Sequence, residues 1–168
     1  VGYKGSLLAK HVIENNVKSV INTNKKGNAW WIFNFPFKLI NEPVFVLTCD
    51  NITDVNFEAI IHDYIKKGKP ECFLIPVKPI KKLEGDFIHR TKNIVTKLSR
   101  KNESDMYCSG IQIINTYKIN KIIKRTEDFN KVWKQLISKK KLKVSDILPK
   151  KWFTIDNIEQ LNIYKKSK

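Results

Sequence analysis

Two aspartates stand where a carboxylate could do chemistry. Asp50 follows the apolar run Val44-Phe45-Val46-Leu47-Thr48-Cys49, and Asp156 follows Trp152-Phe153-Thr154-Ile155. A carboxylate at the end of an apolar strand costs folding energy if it is buried and unpaired, but it is tolerated facing a crevice with a cation. In open α/β sheets such crevices lie at the carboxyl ends of strands. Mg²⁺ is commonly held there by one or two carboxylates and completed by substrate phosphates. The residues alone leave a second reading of each aspartate. Asp50 could cap its loop or the helix that follows. Asp156 could be the N-cap of the terminal helix, with Glu159 at the capping-box position.

The elements that must position these carboxylates can be read from periodicity. Residues 6–16 place Leu7, Leu8, Val12 and Ile13 on one helical face, and residues 17–24 read as a short strand. A turn at 25–28 leads to a helical segment, "AWWIFNF", that Pro36 must end or kink. Residues 44–49 read as a strand buried on both faces, and "DNITD" after it as a loop. Residues 55–69 form a helix on Phe57, Ile60, Ile61, Tyr64 and Ile65, stopped at Gly68. Residues 72–77 give the next strand, 86–100 a hairpin and 107–115 a further strand. Helical stretches follow around "YKINKIIKR" and "FNKVWKQLISKK", and 152–166 give an extended piece and a terminal helix. This order predicts an α/β chain with a Rossmann-like, mixed but mostly parallel sheet and helices on both faces.

At 168 residues the chain fits one domain, 1–168. It has no apolar run long enough to span a membrane. Its first residues lack the layout of a secretory signal, which predicts a cytoplasmic protein. Cys49, Cys72 and Cys108 have no metal-ligand spacing and read as buried, reduced thiols. His11, His62 and His89 are unclustered and read as surface or structural. The net charge is +16, but of 32 basic residues only Arg90, Arg100 and Arg125 are arginine. Arginine is what reads bases and clamps phosphates in two-pronged fashion. The lysines are spread evenly, so no nucleic-acid partner is expected, and the charge suits a small anionic substrate.

The stretches "VFVLTCDNITDV", "KGNAWW", "YCSGIQIIN" and "WFTIDNIEQL" together resemble the sugar-1-phosphate nucleotidyltransferases, the sugar-nucleotide pyrophosphorylase family. In that family an apolar strand ends in an Asp that holds Mg²⁺, here matched by Asp50. A second metal Asp lies in a W-x-D-I-D-T-P-E-D-L-like segment, matched here by Trp152, Ile155, Asp156, Asn157, Glu159 and Leu161. Thr154 replaces the first Asp of that segment and Ile158 its Pro. Gly27, Asn28 and Ala29 match a Gly-Thr-Ala segment that touches the base, and Ser109-Gly110 a small pair near the sugar. Arg100 falls where the family places a Lys that grips the sugar phosphate, and Lys78, in "PVKP", would add positive charge there. Trp30 and Trp31 are expected to pack.

The segment that opens the family, a strand with a G-x-G-T-R loop and then a Lys in a "PK" motif, has no counterpart. The resemblance therefore implies an N-terminally incomplete nucleotidyltransferase fold, short by roughly 60 residues at about 30 per βα unit. The implied reaction is Mg²⁺-dependent transfer from an NTP to a sugar 1-phosphate, giving NDP-sugar and pyrophosphate. On that reading this chain alone is expected not to turn over. Two alternatives stand beside it. One is a degenerate domain that binds nucleotide or sugar without turnover. The other is a metal-dependent glycosyltransferase of related fold, although "DNITD" lacks its usual D-x-D spacing.

Overall fold

The computed structural model describes residues 1–80, 83 and 85–166. In chain order the elements are α1 (Gly5–Glu14), β1 (Val44–Val46), β2 (Asn51–Asp54), α2 (Phe57–Lys66), β3 (Cys72–Val77), β4 (Phe87–Thr91), β5 (Ile94–Ser99), β6 (Tyr107–Ile114), α3 (Thr116–Ile122), α4 (Phe129–Ser138), β7 (Leu142–Val144), β8 (Lys151–Thr154) and α5 (Ile158–Lys166). β3 organises them because its sequence has no polar face: it is buried at every position. A strand with two apolar faces must be covered twice. On one side α2 lays Ile60 and Tyr64 against Phe73, Ile75, Ile111 and Ile113. On the other, α3 and α4 bring Ile119, Val132, Trp133 and Leu136 onto Cys72, Leu74, Leu142 and Val144. Full burial of each such side chain stabilises by about 1.5–3 kcal/mol. The one large polar side chain in this core, Gln112, is satisfied: its Oε1 accepts from Trp133 Nε1 at 3.1 Å and from Cys72 Sγ at 3.4 Å.

The main sheet runs β1-β6-β3-β7-β5-β4, with a further β4–β6 contact, and a separate two-stranded sheet joins β2 to β8. The mixed α/β sheet with helices on both faces is as expected. Its directions differ from the expected parallel majority: among the described pairings of this sheet only β3–β7 is parallel. The reason is local. β6 runs against both neighbours, and β4 and β5 are joined by a tight turn that forces them antiparallel.

Other differences have equally local causes. Residues 17–24 form no strand; they lie against the N-terminus, where the Val1 ammonium donates to Ile21 O at 2.7 Å. The "AWWIFNF" region forms two short 3₁₀ turns, Trp30–Phe33 and Phe37–Leu39, parted at Pro36. Trp31 packs edge-on to Phe37, as a core aromatic. β1 is shorter than expected and only half-buried, because it is an edge strand paired to β6 alone among the described residues. "DNITD" is not a loop but β2, and β7 was not foreseen. α1 buries none of its residues. Cys49 is exposed, whereas Cys72 is buried and Cys108 partly so, and all three are free thiols. No described helix is long and apolar enough to cross a membrane.

Candidate functional site

The chain turns at Thr48–Asp50 between β1 and β2, and β2 pairs antiparallel with β8 through Asn51↔Thr154, Ile52↔Phe153, Thr53↔Trp152 and Asp54↔Lys151. The ladder continues one step further, with Ile155 N–H donating to Asp50 O at 2.9 Å. Two distant carboxylate residues are thereby carried by neighbouring chain segments. At Asp50 the Oδ1 atom is buried and has no hydrogen-bond partner. A buried polar atom left unpaired costs about 1–3 kcal/mol, and more when charged. Such an orphan in a folded chain calls for a partner from outside it: a water, a proton or a cation.

Neither aspartate does the capping work that would otherwise explain it. The α2 N-cap is Asn56, whose Oδ1 accepts from Ala59 N–H at 3.0 Å. At α5 the cap is Asn157, whose Oδ1 accepts from Gln160 N–H at 2.9 Å. Gln160 Oε1 in turn accepts from the Asp156 amide. The box is therefore shifted one residue from the expected Asp156/Glu159 pair, and the exposed Asp156 carboxylate is not its acceptor.

Ser109 and Gly110 lie against the same turn. Gly110 has φ +79°, and a Cβ there would stand 3.1 Å from Thr48 Cγ2 and Oγ1, so a side chain is disfavoured on two counts. The Ser109 hydroxyl is spent within the fold, donating to Ile75 O at 2.6 Å and accepting from Ile111 N at 3.0 Å. Its carbonyl accepts from Asn51 Nδ2 at 2.7 Å. Asn51, which frames this turn with Trp152, was not expected from the sequence, and Trp152 only as part of the motif around Asp156. The signal for Asn51 was adjacency to Asp50.

Arg100 leaves β5 at the same end of the sheet. Register places this end: Pro76↔Cys108 and Val77↔Tyr107 set the finish of β3 beside the start of β6. Cys108 N–H donates to Asp86 O at 2.8 Å, and Arg100 Nε stands 3.4 Å from Asp86 Oδ1. This pair opens on a cavity of about 400 Å³ whose far wall is the start of α4, with Asp128, Asn130, Trp133 and Lys134. Gly27, Asn28 and Ala29 lie against the residues that begin α4. Gly27 N–H donates to Glu127 Oε2, Ala29 N–H to Glu127 O, and Asn28 Oδ1 accepts from Phe129 N–H at 3.0 Å. Ala29 is fully buried and Asn28 exposed. Lys78 follows β3 at this end and is exposed. The candidates thus fall into two groups: Asp50, Asp156, Ser109 and Gly110 around the β1–β2 turn, and Arg100 with Gly27–Ala29 around the start of α4.

Burial pushes the Cys108 thiol up to about 12 and that of Cys72 up as well, so both stay protonated and inert. A second polar cluster was also missed. Lys67 bridges Asp63 at 3.3 Å and Asp146, and Arg90 also bonds Asp146. The Lys67 hydrogen bond, then that of Arg90, holds the Asp146 carboxyl below its usual range. Ser145 Oγ adds a bond to Asp63 Oδ2 at 2.6 Å. The cluster pins the start of the segment leading into β8, and so towards Asp156.

Among the described residues no group of three or more His, Cys, Asp or Glu is placed to hold a metal ion unaided. Two carboxylates with substrate oxygens are enough for Mg²⁺, which keeps waters and borrows phosphate ligands. The orphaned Asp50 Oδ1 fits that demand, and the all-oxygen donor set suits a hard cation rather than zinc.

No family model and no curated protein sequence matches the chain. Solved structures do match. The inositol-1-phosphate CTP transferase from T. maritima aligns with TM-score 0.72 at 16% identity, over 96% of this chain and 70% of that one. HddC from Yersinia pseudotuberculosis, complexed with GMP-PN, aligns with TM-score 0.69 at 18% identity, over 100% and 76%. A UDP-glucose pyrophosphorylase complexed with UDP-glucose aligns with TM-score 0.63 at 14% identity, over 100% and 75%. The chain spans 64% of the length of another match, a Bacillus anthracis structure assigned as a glucose-1-phosphate thymidylyltransferase. At these identities the likeness is one of fold: the chain has the α/β fold of sugar-phosphate nucleotidyltransferases.

Proposed function

We propose that this chain is a nucleotidyltransferase domain that takes an NTP and a sugar 1-phosphate and yields an NDP-sugar and pyrophosphate. The observation that carries the reading is the Asp50 carboxylate: it has a buried, unpartnered oxygen and lies on a strand-end turn bonded to the segment that bears Asp156. On a nucleotidyltransferase fold, such a pair is where Mg²⁺ would be held, with phosphate oxygens as its remaining ligands. When bound, the ion would supply Lewis-acid neutralisation of phosphate charge and a template for orientation.

The chain's own part is positioning and electrostatics. A sugar-phosphate oxygen attacks the α-phosphorus in line. The bond from that phosphorus to the bridging oxygen breaks, and pyrophosphate departs with the bond's electron pair. No proton need be abstracted from a phosphate oxygen already ionised at neutral pH. Arg100, exposed and paired with the half-buried Asp86, is available to the sugar phosphate, and the exposed Lys78 adds positive charge at the same sheet end. Ser109 and Gly110 would shape the sugar side. Of Gly27, Asn28 and Ala29, the exposed Asn28 is the one able to meet a base.

The test is binding of the common NTPs and hexose 1-phosphates by the chain, with and without MgCl₂. The expected result is Mg²⁺-dependent binding of a restricted set of them. Absence of nucleotide binding for every NTP would overturn the reading.

A further inference from the structure

The side chain next to Asp50 is spent entirely on the architecture of the turn. Asn51 Nδ2 donates to Thr48 Oγ1 and to Ser109 O, both at 2.7 Å. Its Oδ1 accepts from Trp152 Nε1 at 3.0 Å. A primary amide has two donors and one acceptor oxygen on opposite arms, and here both arms are engaged. The three bonds join three segments: the Thr48–Asp50 turn, the start of β6, and β8. These are the segments that carry Asp50, Ser109-Gly110 and Asp156. Aspartate at this position would lose both donors.

Trp152 is the outer anchor. Its ring packs against two apolar clusters, one that includes Phe73, Ile75 and Ile111 and another formed by Val77, Phe87 and Tyr107. The indole is therefore fixed by apolar contact, and its N–H is aimed at one acceptor. Phenylalanine would keep part of the packing, leave a gap where the five-membered ring stood, and lose the donor.

We propose that Asn51 and Trp152 are positioning residues: their hydrogen bond sets the Asp50 carboxylate relative to the Asp156 segment, and with it the affinity of the site for a divalent cation. The inference rests on the reading of Asp50 and Asp156 as cation ligands. Partners that orient metal-binding carboxylates typically change affinity by about 10–100-fold when removed.

The experiment is a Mn²⁺ titration of the full chain, followed by water-proton relaxation, for the wild type, Trp152→Phe, Asn51→Ala, the double variant and Asp50→Asn. Thermal unfolding is recorded for each. Trp152→Phe should raise the Mn²⁺ Kd by about tenfold while unfolding stays cooperative. The double variant should lose little more than Asn51→Ala alone, since Asn51→Ala already breaks the bond that Trp152→Phe removes. A Trp152→Phe protein with unaltered Mn²⁺ affinity and a lowered Tm would overturn the proposal, leaving the bond a structural one. If Asp50→Asn binds Mn²⁺ as the wild type does, the cation reading itself fails and the positioning role goes with it. Asn51→Ala can unfold the turn; Trp152→Phe, which keeps an aromatic ring in place, decides the question in that case.

Discussion

Ile155 N–H donates to Asp50 O at 2.9 Å, one step beyond the last paired residues of β2 and β8. This contact makes neighbours of two segments from opposite ends of the chain. It also ties the geometry of the site to the small sheet: whatever shifts β8 along β2 shifts Asp156 relative to Asp50.

The cap assignment can be checked by stability alone. Asn157→Ala should cost about 1 kcal/mol in urea unfolding, because it strips the acceptor from Gln160 N–H. Asp156→Ala should stay within about 0.5 kcal/mol of the wild type. Equal losses from the two would return Asp156 to a capping role.

Asp50→Asn should separate folding from function. The substitution removes a charge from a buried, unpartnered oxygen, so the urea midpoint should not fall. Nucleotidyl transfer by the complete enzyme, assayed as pyrophosphate release, should drop by about 10²–10⁴ in kcat, the range for loss of a preorganised electrostatic contact. Activity retained within a factor of about three would leave Asp50 without a catalytic role.

Gly27 is required by its surroundings. A Cβ there would fall 2.0 Å from Glu127 O, a backbone atom that cannot swing aside. Gly27→Ala should lower stability by about 1–3 kcal/mol, the cost of overpacking. Differential scanning calorimetry checks it, and an unchanged Tm would mean that residues 27–29 do not dock on the start of α4.

The Asp146 cluster predicts an acid limb of stability. Lys67 and Arg90 hold the Asp146 carboxyl below its ordinary 3.8. The folded state therefore binds that proton less readily than the unfolded chain. Its stabilisation is present above the ordinary carboxylate range and is lost as pH falls through the depressed folded value. Asp146→Asn should lower the urea midpoint at pH 7 and flatten its fall below pH of about 4. A variant that tracks the wild type at both ends would show the cluster to be idle.

The strongest elements were legible because their periodicity is strong. β3 was read at its true bounds, and α2, α4, the β4–β5 hairpin and β6 nearly so. Strand direction was not legible, since it depends on connections rather than on side chains. β2 and β7 are short, and "DNITD" carries turn residues that become a strand only because "KWFT" pairs with it. The same long-range pairing explains the site. Asp50 and Asp156 could be named from their local settings, but Asn51 and Trp152 matter through a bond across the two strands. The Lys67–Asp146–Arg90 cluster joins three elements and left no local trace.

The central claim is that Asp50 and Asp156 hold one cation. The most direct measurement is the anomalous difference map of crystals grown with MnCl₂ and a nucleoside triphosphate. One peak should stand at about 2.1 Å from a carboxylate oxygen of each residue, with phosphate oxygens completing the shell. A structure with both carboxylates turned to different solvent faces, or a peak that neither aspartate touches, would contradict it.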